Sequence, residues 1–188
     1  MLPIYLLNHA LRVNQLSVFD EDQRYQQTKE TLDSIDKYAS GLVFMFDSSP
    51  TMPNEKYVDE MRDRGVNWFY CGDIPDVNKF SLMGLRSVAE TISMMAVLQY
   101  MRGFLTRINR PARIVKLSGR YSLNENFDIK NPNFVDKFVF PHAIDSWMDH
   151  RKQHHAGVSK LYKLRLWHMD LTCLIHSCKR CHLSWTTA

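Results

Sequence analysis

Four short polar segments each follow an apolar run, and together they hold most of the residues that could do chemistry. They are Asn-His-Ala-Leu-Arg at 8–12, Asp-Ser-Ser at 47–49, Cys-Gly-Asp at 71–73 and Ser-Gly-Arg-Tyr at 118–121. In a parallel sheet the carboxyl ends of the strands share one edge, where small molecules bind. There an Asp can accept a ribose hydroxyl, the backbone N–H groups of a Ser or Gly turn can hold phosphate, and Arg pairs with phosphate oxygens. Such a set suits a nucleoside diphosphate.

Each of these residues also has a purely structural explanation. Gly119 can form a turn that leaves Arg120 and Tyr121 in solvent. Asp47 is of a type favoured in turns and at helix caps. Arg86 lies in the first turn of a predicted helix, where a surface charge is common. The residue types alone leave both explanations open.

The last 18 residues form a second group of reactive side chains, which comprises Cys173, His176, Cys178, Cys181 and His182. Cys-Lys-Arg-Cys-His fits the C-x-x-C-H pattern of haem attachment. We expect no haem, because attachment needs an exported chain and only six residues follow the pattern. Thiolates and imidazoles also suit zinc, although no second C-x-x-C pair is present.

The elements that would position the four polar segments alternate between strand and helix. The patterns predict strands at 3–7, 42–46, 66–72 and 113–117, helices within 24–40, 54–65 and 85–105, and a loop at 73–84. Alternation of this kind predicts βαβ units, and hence an α/β fold with a mainly parallel, Rossmann-like open sheet flanked by helices.

Helical spacing predicts which side chains face the core. The first helix would bury Tyr25, Thr28, Leu32, Ile35 and Tyr38 and end at Gly41 as its C-terminal cap. The third would bury a second set of the same spacing: Leu85, Val88, Ala89, Ile92 and Met95.

After residue 121 the sequence changes to aromatic, partly alternating segments, which predict added edge strands of antiparallel type. We therefore expect one α/β domain at 1–170 and a loosely attached Cys/His-rich tail at 171–188.

Composition limits the class of protein. With 188 residues, of which 45% are hydrophobic, the chain can bury one substantial core. Residues 1–100 carry 9 Lys and Arg against 14 Asp and Glu, whereas residues 101–188 carry 15 against 6, but pooled charge alone does not predict nucleic-acid binding. No apolar run approaches the roughly 20 residues of a membrane span, and no basic region precedes the first apolar run, so we expect a cytoplasmic protein.

The strand and helix series, the helix start "GLRSVAET", the segment "KLSGRYSLNENFD" and the later "FVFPHAIDSWM" and "GVSKLYKLRLWHMD" carry a family resemblance. The chain resembles glycosyltransferase-A-type, nucleotide-diphospho-sugar-transferase-like proteins encoded by phages and bacterial polysaccharide gene clusters. The resemblance covers residues 1 to about 170, and it implies a sugar nucleotide bound at the carboxyl edge of the first strands. For a phage-encoded member the location would be the host cytoplasm.

The resemblance also implies roles for individual residues. It places His9, Arg12 and Asp47 near the nucleotide, and we add Ser48, Ser49, Arg86 and Gly119 as further candidates for binding the nucleotide or its diphosphate. It places Lys116, Arg120 and Tyr121 near the diphosphate or the acceptor, a hydroxyl group of a glycan or similar molecule. In the transfer that we expect, Lys116 and Arg120 would stabilise the departing phosphate, and Asp145 would deprotonate the acceptor if the reaction inverts the stereochemistry at the sugar.

One departure from the family concerns the metal. Many proteins of this fold hold Mn²⁺ or Mg²⁺ through Asp-x-Asp after the fourth strand, where this chain has Ser-Gly-Arg. This difference has two explanations. The guanidinium of the arginine neutralises the leaving diphosphate without a metal, or the chain has lost catalysis. Asp170 and His168 are alternative metal ligands, although both also fit polar positions of an edge strand.

Three hypotheses follow. In the first hypothesis, the chain is a glycosyltransferase that moves a sugar from a nucleotide diphosphate to a hydroxyl group, and its tail results from truncation or a shifted reading frame. In the second, it is a non-catalytic protein that keeps the nucleotide-sugar-binding fold. In the third, its tail is a zinc module with a protein or nucleic-acid partner.

Overall fold

The computed structural model describes residues 2–13, 17–108, 112–130, 143–145, 160–162 and 166–170, the last three segments by their backbone. Its strands are β1 (Leu2–His9), β2 (Leu42–Asp47), β3 (Asn67–Tyr70), β4 (Ala112–Ser118), β5 (Ala143–Asp145), β6 (Lys160–Tyr162) and β7 (Leu166–Asp170). Its helices are α1 (Glu21–Tyr38), α2 (Glu55–Asp63), α3 (Pro75–Leu82) and α4 (Arg86–Ile108).

The main sheet has the strand order β3-β2-β1-β4-β7. Strands β1 to β4 are all parallel, with His9 opposite Asp47 and Asn8 opposite Ser118. This confirms the predicted α/β fold with a parallel sheet flanked by helices. β7 pairs antiparallel with β4, and β5 pairs antiparallel with β6.

Two apolar layers cover the two faces of this sheet. Alternate residues of β1, β2 and β4, such as Leu6, Phe46 and Ile114, pack with residues of α3 and α4. The residues between them, such as Leu7 and Met45, pack with residues of α1 and α2. Because both faces are buried, the parallel strands are continuous apolar runs rather than alternating ones.

Helix α1 begins with a capping box, in which Asp20 and Gln23 each accept the backbone N–H of the other. The predicted buried stripe of Tyr25, Thr28, Leu32 and Ile35 is confirmed. The predicted cap is wrong: Ser40, not Gly41, takes the positive φ of 49°. Gly41 is needed for space, since a Cβ there would lie 2.7 Å from the Pro3 carbonyl oxygen.

The predicted loop at 73–84 is also wrong, because it contains helix α3. Its Asp, Pro, Asn and Gly residues resemble a turn, yet Pro75 occupies the first helical turn, where its missing N–H costs nothing. Ile74, Val77 and Phe80 recur every three residues and pack on the α4 side of the sheet.

The predicted buried face of α4 is only partly correct. Ala89 is buried and Ile92 packs against the core, but Leu85, Val88 and Met95 are exposed. The buried stripe instead continues from Ala89 through Val97, Met101 and Leu105. None of the described helices is long and apolar enough to cross a membrane.

Two glycines give a matched stability test. A Cβ at Gly72 would lie 2.2 Å from the Ser49 carbonyl oxygen, whereas a Cβ at Gly103 meets nothing within 4 Å. We expect Gly72→Ala to lower the free energy of unfolding by about 1–3 kcal/mol. Gly103→Ala, inside α4, should raise it by about 0.5–1 kcal/mol. Urea unfolding of both variants measures this, and equal effects would contradict the close approach at Gly72.

Candidate functional site

A crevice of about 600 Å³ opens at the carboxyl edge of the parallel strands. Its floor includes Asn8 and His9 at the end of β1 and Ser118 at the end of β4. The chain runs outward from β1 through β2 to β3 and then returns to place β4 on the other side of β1. The crevice therefore lies at the topological switch point, where open α/β sheets bind ligands.

Asp47 lies beneath this crevice and holds its floor together. The side chain is fully buried, and its carboxylate accepts hydrogen bonds from the backbone N–H groups of Ser49 at 2.6 Å and Leu11 at 3.3 Å. These bonds join the segment after β2 to the segment after β1. Asp47 thus shapes the site from below and is not part of the crevice lining.

His9 lies between Asp47 and the crevice. Its Nε2 is 3.3 Å from Oδ2 of Asp47, although neither ring nitrogen makes an aligned hydrogen bond within the described part of the chain. Burial lowers the pKa of His9, the Asp47 carboxylate opposes this effect, and the Arg24 guanidinium adds to it. His9 is therefore a neutral imidazole at pH 7.

This lowered pKa gives a pH prediction. The unfolded chain takes up the His9 proton below about pH 6.5, whereas the folded chain does so only at lower pH. The stability that neutral His9 contributes is complete above pH 6.5, and it should fall by up to about 1.4 kcal/mol per pH unit below that value. Urea unfolding of wild type and His9→Gln between pH 7.5 and pH 5 tests this. Identical slopes for the two proteins would contradict it.

Arg24 is a buried cation on the core-facing side of α1 that lines the crevice. Its guanidinium donates to the carbonyl oxygens of Ala10 at 3.2 Å and Phe19 at 3.4 Å and to the Ser17 hydroxyl at 2.5 Å. All three acceptors are neutral, and no carboxylate of the described residues lies within ion-pair distance. The pKa of Arg24 is lowered to about 10, chiefly by burial and also by the nearby Arg120 and Arg86, against the opposing effect of Asp47.

Arg86 and Arg120 complete the cationic side of the crevice. Arg86 is the first residue of α4, and Arg120 follows β4. Both are exposed, and neither has an ion-pair partner among the described residues. Together with Arg24, three arginines therefore line the same crevice. The first turn of α4 also holds no acidic residue that would neutralise its positive helix end.

Lys116 does not line the crevice but pairs with a residue that does. It is buried on β4, and its Nζ lies 2.6 Å from Oε1 of Glu90, a residue of α4 that lines the crevice. The ion pair joins β4 to α4 and fixes the orientation of the Glu90 carboxylate.

The other predicted nucleotide-binding residues have different surroundings. The backbone N–H groups of Ser48, Ser49 and Gly119, which the sequence offers for phosphate, donate within the protein to His9 O, Asp47 Oδ1 and Asn8 O. The residue Ser48 does line the crevice. The side chain of Ser49 accepts from the N–H of Arg12, and Gly119 packs against His9, so both support the floor.

Arg12 and Tyr121 lie outside the crevice lining. The Arg12 guanidinium donates to Glu21 at 2.6 Å and to the Met52 carbonyl oxygen at 2.8 Å, which ties the loop after β1 to α1 and the loop after β2. The Tyr121 side chain is 38% exposed.

The remaining predicted residues lie at the limits of the structure. Asp145 lies in β5, and His168 and Asp170 lie in β7, all described by backbone alone. The tail residues Cys173, Cys178, Cys181 and His182 lie outside the described residues, as does the predicted boundary of the tail. Among the side chains that the structure describes, no three His, Cys, Asp or Glu residues are grouped to hold a metal.

Sequence reasoning missed Arg24, Thr28 and Glu90 as crevice residues. A signal for the first two was present: Arg24 lies at i−4 and i−8 from Thr28 and Leu32 on the apolar face of α1, an unusual place for a charge. Glu90 carries no such signal, because a lone carboxylate on a helix is ordinary.

Comparisons with protein-family models, with curated proteins and with solved structures find no match to this chain. The interpretation of the crevice therefore depends on its own geometry and charge.

Proposed function

We propose that this chain is a glycosyltransferase-like protein that binds a nucleotide-diphospho-sugar in the switch-point crevice and transfers the sugar to a hydroxyl acceptor. The observation that carries the proposal is Arg24, a buried cation without a carboxylate partner among the described residues, with Arg86 and Arg120 beside it. A buried charge normally has a partner, so an unpaired one facing a cavity favours an anionic ligand.

The charge balance around the crevice fits a diphosphate. Among the described residues that line the crevice, three cations, Arg24, Arg86 and Arg120, stand against one carboxylate, Glu90, which leaves two positive charges in excess. Guanidinium groups pair with phosphate oxygens in a bidentate manner and keep their charge throughout the physiological range. The cavity volume lies within the usual range for small-molecule sites.

The proposed reaction uses these charges at the leaving group. As the bond between the sugar C1 and the phosphate oxygen breaks, the electron pair stays on the diphosphate, and Arg120 and Arg24 stabilise the growing negative charge. The acceptor oxygen bonds to C1 and loses its proton to a carboxylate, for which Asp145 remains the candidate. Lys116 keeps Glu90 in place rather than contacting the phosphate itself.

A panel of uridine, guanosine and cytidine diphosphates and their sugars tests the proposal by thermal shift and by release of free nucleotide. We expect a rise in the melting temperature with at least one nucleoside diphosphate, and slow hydrolysis of the matching sugar. A shift without hydrolysis or transfer would show a binding protein without catalysis. No shift with any member of the panel would contradict the proposal.

One arginine that lines the crevice and one that lies away from it offer a matched test. We expect Arg120→Ala to weaken nucleoside diphosphate binding about 10-fold or more, because one charge-assisted hydrogen-bond partner is lost. Arg102, an exposed residue of α4, lies 16 positions or about 24 Å along the helix from Arg86, so Arg102→Ala should bind as wild type does. Calorimetric titration of both variants decides this, and equal losses would indicate unspecific charge attraction.

A further inference from the structure

The resemblance to glycosyltransferase-A proteins implies a divalent metal, and the residues of the crevice allow that implication to be tested. A metal that bridges to a diphosphate needs carboxylate oxygens free to bind it. The position where the family has Asp-x-Asp is the end of β4, and here it reads Ser118-Gly119-Arg120. The donor at that position is a guanidinium.

The two carboxylates near the crevice are already engaged. Both oxygens of Asp47 accept backbone N–H groups, from Leu11 and Ser49, and the side chain is fully buried. Glu90 is in an ion pair with buried Lys116 at 2.6 Å. Ligation of a metal by either residue would expose a buried N–H or ammonium group without its partner, which is costly.

The net charge of the crevice also argues against a bound divalent metal. The described residues that line the crevice already carry two positive charges in excess, so a divalent cation would double this excess before any ligand bound. A diphosphate, in contrast, compensates the excess directly. The described residues therefore fit the anion and do not fit the metal.

We infer that Arg24, Arg86 and Arg120 neutralise the donor diphosphate without a divalent cation. This inference rests on the proposed function and specifies its chemistry: the guanidinium groups occupy the place of a metal ion at the leaving group. Arg24 supplies the fixed charge from the floor, because three hydrogen bonds hold its guanidinium. Arg86 and Arg120 supply exposed charges from the start of α4 and the end of β4.

Calorimetric titration of the whole chain with inorganic pyrophosphate and with the nucleoside diphosphates tests the inference, once in EDTA and once in excess Mn²⁺. We expect binding in EDTA and an affinity in Mn²⁺ that is equal or weaker, since the metal complexes the free ligand. Arg86→Ala should weaken binding at least about 5-fold in EDTA, whereas Arg102→Ala, at a site remote from the crevice, should not. An affinity at least 10-fold higher in Mn²⁺ would overturn the inference.

The two proposals fail in different ways. If nucleoside diphosphates bind only with Mn²⁺, the metal-free inference is wrong and the proposed function stands. If pyrophosphate binds in EDTA but no nucleotide or nucleotide sugar binds more tightly than pyrophosphate, the arginine site is a general anion site and the proposed function is wrong. Absence of binding by every probe in both buffers would refute both.

Discussion

Replacing Arg24 by methionine should weaken nucleoside diphosphate binding by about 100-fold or more, the largest loss that we expect from any single change in the crevice. The reason is that Arg24 is buried, so its charge acts through a medium that screens it poorly. A charge-assisted bidentate contact is worth roughly 3 kcal/mol under such conditions.

The same change should affect folding much less. The methionine side chain fills similar volume, and removing a buried cation without a carboxylate partner relieves a desolvation cost, against the lost hydrogen bonds to Ala10, Ser17 and Phe19. We expect the free energy of unfolding to change by no more than about 1.5 kcal/mol. Arg64→Met is the matched control, since Arg64 pairs with Asp33 and Asp36 on the surface and should leave binding unchanged. Unaltered affinity in Arg24→Met would remove the main support for an anion site.

Replacing Asp47 by alanine should lower the free energy of unfolding by about 3–5 kcal/mol, the largest expected effect on stability. Two buried backbone N–H groups, those of Leu11 and Ser49, lose their acceptor at once. The imidazole of His9 loses its neighbouring carboxylate as well. Chemical denaturation measures this loss of stability. Nucleotide binding should be lost as well, because Asp47 joins the segments after β1 and β2 that form the floor of the crevice.

Two further variants make the Asp47 result interpretable. Asp47→Asn keeps one acceptor oxygen and should cost clearly less than alanine. Asp59→Ala removes an exposed carboxylate of α2, whose ion pair with Arg62 lies on the surface, and should change stability by about 0.5 kcal/mol or less. A loss of under 1 kcal/mol in Asp47→Ala would show that the loops after β1 and β2 hold their conformation without it.

The central sheet could be predicted because strands that are buried on both faces are short, continuous apolar runs in the sequence. The run 42–46 is too apolar and too short for anything but a buried strand, and 113–117 predicts a second short strand; the structure confirms both. The helix at 75–82 escaped prediction, because its polar and turn-forming residues outnumber Val77 and Phe80, which anchor it. On α4, helical spacing fitted more than one stripe of apolar residues, and only packing against the sheet selects the stripe through Ala89 and Val97.

The candidate site was predictable in position but not in detail. Strand ends at His9, Asp47 and Ser118 follow from the parallel order alone, and the register confirms that they are neighbours. The role of each residue cannot be predicted in this way, since an Asp that accepts backbone N–H groups and an Asp that binds a ribose hydroxyl look alike in a sequence. Arg24 reaches the crevice from a helix rather than a strand end, so a search restricted to strand ends overlooks it.

The position of β4 beside β1 has a consequence for biosynthesis. β1 pairs with β4, which follows it by more than a hundred residues, so this neighbour leaves the ribosome long after β1 does. Until β4 is available, the β1 edge that it covers in the native sheet lacks this partner, and unpaired strand edges favour wrong pairing between chains. An anion that contacts both Arg24 of α1 and Arg120 after β4 would stabilise the pairing of β4 with β1, and so favour the native protein over aggregation.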